Sequence, residues 1–245
     1  MTVEKFSSFH MENDGARPLF KVCGAMETAD IDCMSASGAG AAGLWWEIPE
    51  GQRALLPTEV VRLAHHCHSQ GTVDPWLVTF AHEPAPIRRV LEEAGITWLQ
   101  LHAFQAPRMV DLLRTSVSAE TVIVKVLHIS DGKCLEGPLL GAYERAGTDM
   151  FLLDAMSSSG QVGSTGNSLD PIDVLAVVER LEHPFLLAGG LNANNFEDFS
   201  LIAAHPRFMG IDVDTAARDQ SGSLDGRRIA SVGSAWGLVP ERTYL

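Results

Sequence analysis

Eight short runs of apolar, β-branched or aromatic residues recur along the chain, at steps of roughly 22–35 residues. They are Leu19–Cys23, Ala42–Trp46, Trp76–Phe80, Trp98–Leu101, Val122–Leu127, Met150–Leu153, Phe185–Ala188 and Met209–Val213. Within each run hydrophobicity is nearly continuous rather than alternating, which suits parallel strands buried on both faces. Amphipathic stretches lie between them, among them Pro57–His68, Ile87–Ala94 and Pro171–Leu181. Eight strand–helix units predict an α/β fold, a single (β/α)8 TIM barrel, with a doubly wound open sheet as the competing arrangement.

A chain of 245 residues fits one such barrel, and no composition shift or Pro/Gly/Ser linker divides it. The expected organisation is a flexible N-terminal extension over residues 1–16 and a barrel domain over 17–245. The segment Ser157–Ser168, rich in Gly and Ser, follows a strand and is expected to form a mobile loop over the catalytic face. A formal charge of −13 argues against nucleic acid as a partner, because neutralising phosphates needs a basic surface. The polar amino terminus lacks a signal-peptide core, and no apolar run nears the ~18 residues that span a bilayer. The four cysteines show no C-x-x-C pair, so reduced thiols are expected. These features read as a cytoplasmic protein with a small-molecule partner, monomeric or homodimeric, and no membrane association.

Three tempting motifs have plainer explanations. Gly38, Gly40 and Gly43 match G-x-G-x-x-G, but they end a helix and lead into a strand, the reverse of a dinucleotide site. His65, His66, Cys67 and His68 occupy consecutive positions that point around a helix, which suits helix packing better than metal ligation. Lys125 lies in a strand run, where an inward side chain would suit imine chemistry; pairing with an acidic neighbour is the simpler role. No metal or organic cofactor is expected.

The ends of three strands carry chemically apt residues in an informative order. Lys21-Val22-Cys23-Gly24 closes the first, Leu152-Leu153-Asp154 the sixth, and Leu187-Ala188-Gly189-Gly190-Leu191 the seventh. Here the chain resembles phosphoribosylanthranilate isomerase, from about Phe20 to Ile229. The first segment is similar to that family's K-[IV]-C-G, and Gln52–Pro57 to its S-P-R-x-V-S-P. Gln100-Leu101-His102 matches Q-L-H-G, with Ala103 in place of the Gly. Leu152-Leu153-Asp154 followed by Gly163-Ser164-Thr165-Gly166 resembles L-L-D and G-G-T-G. The glycine pair matches L-A-G-G-L-x-x-x-N, and Gly210-Ile211-Asp212-Val213 matches G-[VI]-D-[VL]. Each motif alone is weak; a lone Cys at a strand end is usually a small buried hydrophobe. The ordered set carries the resemblance.

The resemblance implies an Amadori rearrangement, aminoaldose to aminoketose, as in tryptophan biosynthesis. Cys23 would be the general base and Asp154 the general acid, with Arg53 on the anthranilate carboxylate. Backbone amides at Gly189, Gly190 and the turn Asp214-Thr215 would cradle the phosphate, and His102 joins the substrate-binding set. The chemistry asks for a protonated carboxyl at Asp154 and a thiolate at Cys23, which a polar mouth would favour. The chain departs from the pattern where the family carries S-S-G: it reads Asp214-Thr215-Ala216, with Arg218 in place of a Glu and Leu224 in place of a Lys. Arg218 would then supply the charge of the missing donors. The alternatives are a diverged paralogue acting on a different, unphosphorylated substrate in specialised metabolism, or an imine-forming lyase using Lys125.

Overall fold

The computed structural model describes residues 18–49, 51, 53–156 and 169–239. The expected N-terminal extension, the loop Ser157–Ser168 with its Gly163–Gly166 motif, and Gln52 lie outside the described residues. Strands β1 (Leu19–Cys23), β2 (Ala41–Trp46), β3 (Asp74–Thr79), β4 (Trp98–Leu101), β5 (Val122–Ser130), β7 (Met150–Ala155), β8 (Phe185–Leu187) and β9 (Phe208–Val213) are parallel neighbours in that order. β9 pairs with β1, so the sheet closes into a barrel of eight parallel strands and the open-sheet alternative falls away. β6 (Lys133–Cys134) folds back antiparallel on the end of β5.

Helices fill the crossovers: α1 (Thr28–Ala36), α2 (Pro57–Gln70), α3 (Pro84–Ala94), α4 (Pro107–Ser116), α5 (Leu140–Ala146), α6 (Pro171–Val178), α7 (Ser200–Ala203) and α8 (Gly226–Ala235). Proline opens α2, α3, α4 and α6, where its missing N–H is no loss and its fixed φ suits the first turn. On α3 the buried positions Ile87, Val90, Leu91 and Ala94 follow the i, i+3, i+4, i+7 stripe that packs against the strands.

Several element bounds differ from the sequence expectation, two of them with structural consequences. β5 runs on to Ser130 rather than ending at Leu127, and turns into β6 through Asp131 (φ 48°) and Gly132 (φ 76°). Two left-handed residues in succession make the tight hairpin that Asp-Gly favours. α6 stops at Val178, three residues before Leu181.

Inside the barrel, alternate residues divide the lumen into two halves. Toward the strand starts it is filled by an apolar cluster that includes Trp76, Trp98, Val122 and Met150, with the two indoles stacked at 4.2 Å. Toward the strand ends the filling becomes polar: Lys21, Asp212, Asp154 and His102 are all buried there. This is the end of a barrel where chemistry collects.

Candidate active site

Lys21 and Cys23 stand two residues apart on β1 and so share the lumen face. Across the seam, Asp212 is the register partner of Lys21 on β9. Lys21 Nζ donates to Asp212 Oδ2 at 2.7 Å and to Cys23 Sγ at 2.8 Å, and lies 5.5 Å above the Trp76 ring. The Cys23 thiol donates to the same Asp212 oxygen at 3.6 Å. Gly43 on β2 makes room for this group: a Cβ there would collide with the sulfur and lie 3.1 Å from Lys21 Nζ.

Burial dominates the electrostatics. It would lower the Lys21 pKa, but Asp212 and Cys23 more than offset it and hold that pKa above the ordinary lysine value. The Cys23 thiol is pushed up to about 12 by burial and by the Asp212 charge, against the partial relief of Lys21 and Trp45. A thiolate favoured by a polar mouth is therefore not what the site holds; Cys23 is a neutral thiol beside an ammonium–carboxylate pair. The Asp212 carboxyl is itself raised, first by burial and further by the charge of Asp154, with Lys21 and His102 opposing.

Asp154 projects from β7 on the lumen face, two residues beyond Leu152 of the apolar filling. His102, directly after β4, brings Nε2 within 3.3 Å of Asp154 Oδ2, off the line of a straight hydrogen bond. Gln100 Nε2 donates to His102 Nδ1 at 3.0 Å, which leaves the ring proton on Nε2, facing Asp154. Phe80 stacks on the imidazole at 5.5 Å, and burial holds its pKa below the usual histidine range. Cys23 and Asp154 therefore meet in one lumen, joined through Asp212, which touches the first and feels the charge of the second. One ammonium against two carboxyls leaves this space one negative charge in excess when both are ionised.

Arg53 lies outside that layer, on the rim after β2. Its guanidinium carbon sits 4.9 Å from the centre of the Trp45 ring, and Nη2 donates to Asp214 Oδ2 at 2.6 Å. Arg218 Nε donates to the other Asp214 oxygen at 2.6 Å. The remaining Arg218 nitrogens donate to the carbonyls of Cys23 and Gly24, both at 2.9 Å, and of Gly222 at 3.0 Å. Arg218 thus pins the end of β1 to the loop after β9, and its Nε, Nη1 and Nη2 are all engaged within the chain, which corrects the expectation that it stands in for missing anion donors. Thr215, exposed, begins the short 3₁₀ turn beyond Asp214.

Gly189 and Gly190 follow β8 with φ of 75° and 76°. A Cβ on Gly189 would lie 2.6 Å from the Ala155 nitrogen, so the turn can approach β7 only without a side chain. The side-chain amides of Asn192 and Asn195 fold back onto the Gly190 carbonyl at 3.1 and 3.2 Å and fix the turn.

Residues 20–234 match the profile of a protein family, N-(5'-phosphoribosyl)anthranilate (PRA) isomerase. The chain belongs to this family. Among its relatives, the N-(5'-phosphoribosyl)anthranilate isomerase of Natronomonas pharaonis is 27% identical over 218 residues, covering 89% of this chain and 97% of that protein. The enzyme of the same name from Microcystis aeruginosa is 28% identical over 211 residues, covering 86% and 93%. Among solved structures, phosphoribosyl anthranilate isomerase from Thermotoga maritima superposes with a TM-score of 0.71 at 21% identity, covering 90% of this chain and all of that one. A phosphoribosyl anthranilate isomerase in complex with reduced 1-(o-carboxyphenylamino)-1-deoxyribulose 5-phosphate superposes with a TM-score of 0.69, also at 21% identity. At such identities the superpositions establish the shared barrel.

Within this isomerase family member, Lys21, Asp212 and Gly43 are site residues to which sequence reasoning assigned no role. Period-two alternation from Cys23 would have placed Lys21 in the lumen. Lys125 is the opposite case. It points outward: Nζ donates to the Ala103 carbonyl at 2.8 Å, lies 3.7 Å from Glu136 and faces the Tyr143 ring of α5 at 5.5 Å. The acidic pairing holds; the inward direction does not, and with it goes the imine-forming lyase. His66 bonds Asp32 of α1 at 2.7 Å and His68 the Ala94 carbonyl at 3.3 Å, so both serve helix packing. The glycines Gly38 and Gly40 connect α1 to β2, in the order that excludes a dinucleotide turn. Among the described residues no helix is long and apolar enough to cross a membrane.

Proposed function

We propose that the protein catalyses the Amadori rearrangement of N-(5'-phosphoribosyl)anthranilate to the corresponding 1-(o-carboxyphenylamino)-1-deoxyribulose 5-phosphate, with Asp154 as general acid and Cys23 as general base. The observation that carries this reading is the convergence of Cys23 and Asp154 on one buried lumen through Asp212.

Asp154 gives a proton to the furanose ring oxygen as the bond from that oxygen to C1′ breaks, and the anilinic nitrogen lone pair forms a C1′=N iminium. Cys23 then takes the C2′ proton; the C–H electrons form the C1′=C2′ double bond and the iminium becomes a neutral enolamine. The cationic iminium, arriving beside a thiol pushed up to about 12, favours the thiolate form, and Asp212 is placed to take the thiol proton. Tautomerisation moves a proton from the C2′ hydroxyl to C1′ and leaves the ketose. His102 steers Asp154, and its own low pKa keeps it neutral, so that it does not neutralise the carboxyl.

Arg53, beside the Trp45 ring, takes the anthranilate carboxylate. The backbone amides of Gly189, Gly190 and the Asp214-Thr215 turn receive the phosphate. The Asp214 charge is balanced by two guanidiniums, so it does not stand uncompensated against a phosphate, and the phosphorylated substrate is retained over an unphosphorylated one. The test is complementation of a tryptophan auxotroph that lacks this isomerase. Growth is expected; no growth from soluble, well-expressed protein overturns the assignment.

A further inference from the structure

One proton and one negative charge are shared between Cys23 and Asp212, whose thiol and carboxylate oxygen lie 3.6 Å apart. Lys21 Nζ stands almost midway, 2.7 Å from Asp212 Oδ2 and 2.8 Å from the Cys23 sulfur, so it steadies the charge at either end. The other Asp212 oxygen, Oδ1, is buried with no hydrogen-bond partner, so no second donor holds the charge on the carboxylate. The sulfur does have a second donor beside it. Trp45 shares the lumen face of β2 with Ala41 and Gly43, and Gly43 is the register partner of Cys23. Because Gly43 has no side chain, the sulfur occupies the space that a Cβ would fill on that strand. Arg53 takes the face of the Trp45 ring at 4.9 Å. The buried Trp45 Nε1 finds no straight hydrogen bond among the described residues, and the group it approaches as a donor is the Cys23 sulfur.

We propose that Trp45 is a positioning residue for the base: its indole N–H, turned to the sulfur, favours the form in which the S–H bond has broken, the electron pair stays on sulfur and the proton is bonded to Asp212 Oδ2. The inference rests on the reading of Cys23 as the general base. A donor bonds an anionic acceptor about twice as strongly as a neutral one, so the N–H gains on the thiolate what it lacks on the thiol. Lys21 loses at the carboxylate what it gains at the sulfur, whereas Trp45 gains without loss, and only such differential contacts raise turnover. Burial and the Asp212 charge push the Cys23 thiol up to about 12, and Trp45 works against both.

The test is Trp45→Phe, which keeps an aromatic face for Arg53 and removes the N–H. The thiolate population should fall about tenfold, the scale of one charge-assisted hydrogen bond. A more basic thiolate recovers part of that loss, so kcat on N-(5'-phosphoribosyl)anthranilate should drop about fourfold, with KM within about twofold of the wild type. Iodoacetamide alkylation of Cys23 at about pH 9, read by mass spectrometry of its peptide, should slow by about the same factor. Phenylalanine is the smaller ring, so easier access would act in the opposite direction. A raised KM with unchanged kcat would make Trp45 a platform for Arg53 alone and would overturn the proposal, as would alkylation that is unchanged or faster. A wild type without turnover would remove the functional reading, and the alkylation rates then decide by themselves whether the indole supports the thiolate. If Trp45→Phe does not fold, 3-benzothienylalanine at position 45 replaces it, with the ring shape kept and the N–H gone.

Discussion

The two sides of the lumen are built to different standards. On the β1/β9 side, Cys23 is enclosed by three bonds within one network: ammonium to sulfur, ammonium to carboxylate, and thiol to the same carboxylate oxygen. On the β4/β7 side, Asp154 faces, among the described residues, a single poorly aligned imidazole at 3.3 Å. On the proposed reading, the base is locked and the acid is loosely steered. A group that must remove a proton from carbon gains most from a fixed direction of approach. A carboxyl that delivers its proton to a ring oxygen and then lets the opened sugar swing away has reason to keep some freedom.

The largest effects should fall on the two reacting groups themselves and cut across that difference. Cys23→Ser and Asp154→Asn should each lower kcat by about a thousandfold or more, as expected for lost acid–base catalysis. Combining them should cost little beyond either alone, because the two act as one unit; steady-state turnover of the purified variants checks this. Removing the supporting groups should then separate the sides. Lys21→Met leaves Asp212 buried without its ammonium and should destabilise the fold by about 3–5 kcal/mol in urea titration. His102→Asn should cost about 1 kcal/mol or less. Equal losses would mean that the two sides are not built differently after all.

A smaller effect sharpens the account of the thiol. Alkylation of Cys23 by iodoacetamide, followed by mass spectrometry, should be slow at neutral pH and rise with pH without a plateau near the ordinary thiol pKa of about 8.5, because that thiol is pushed up to about 12. The smallest change in turnover belongs to Lys125→Met, which should stay within about twofold since the side chain faces the helices. Its signature is in stability instead. Burial holds Lys125 down to about 8 in the folded chain, so between that value and the unfolded lysine value of about 10.4 the unfolded chain binds more protons. Stability gains from this group as pH rises through that window, and Lys125→Met should remove the gain.

The barrel was legible because eight buried parallel strands leave eight continuous apolar runs, and only β3 starts more than one residue from its expected position. Continuity hides direction, however. Lys125 stands between Val124 and Val126 in a run otherwise apolar on both faces, with no polar face to say which residues look inward, so the sequence alone does not show that its side chain turns outward. The β5–β6 hairpin had a signal, Asp131-Gly132, that an apolar-run reading passes over. Cys23 and Asp154 could be picked out by motif, but the protonation state of the thiol could not. It depends on Asp212, 189 positions away, and on a glycine in a third strand. The Asp214 carboxylate was visible in the sequence only as a departure; that two arginines hold it is a property of the closed ring.

The stacked indoles of Trp76 and Trp98 carry one more consequence. They and their aliphatic neighbours stopper the strand-start half of the lumen, so in the proposed reaction hydrogen lifted from the sugar carbon onto sulfur has to leave past the bound ligand. A deuterium label at that carbon should accordingly reach bulk water no sooner than the product does, so that release of the isotope keeps time with departure of the ligand.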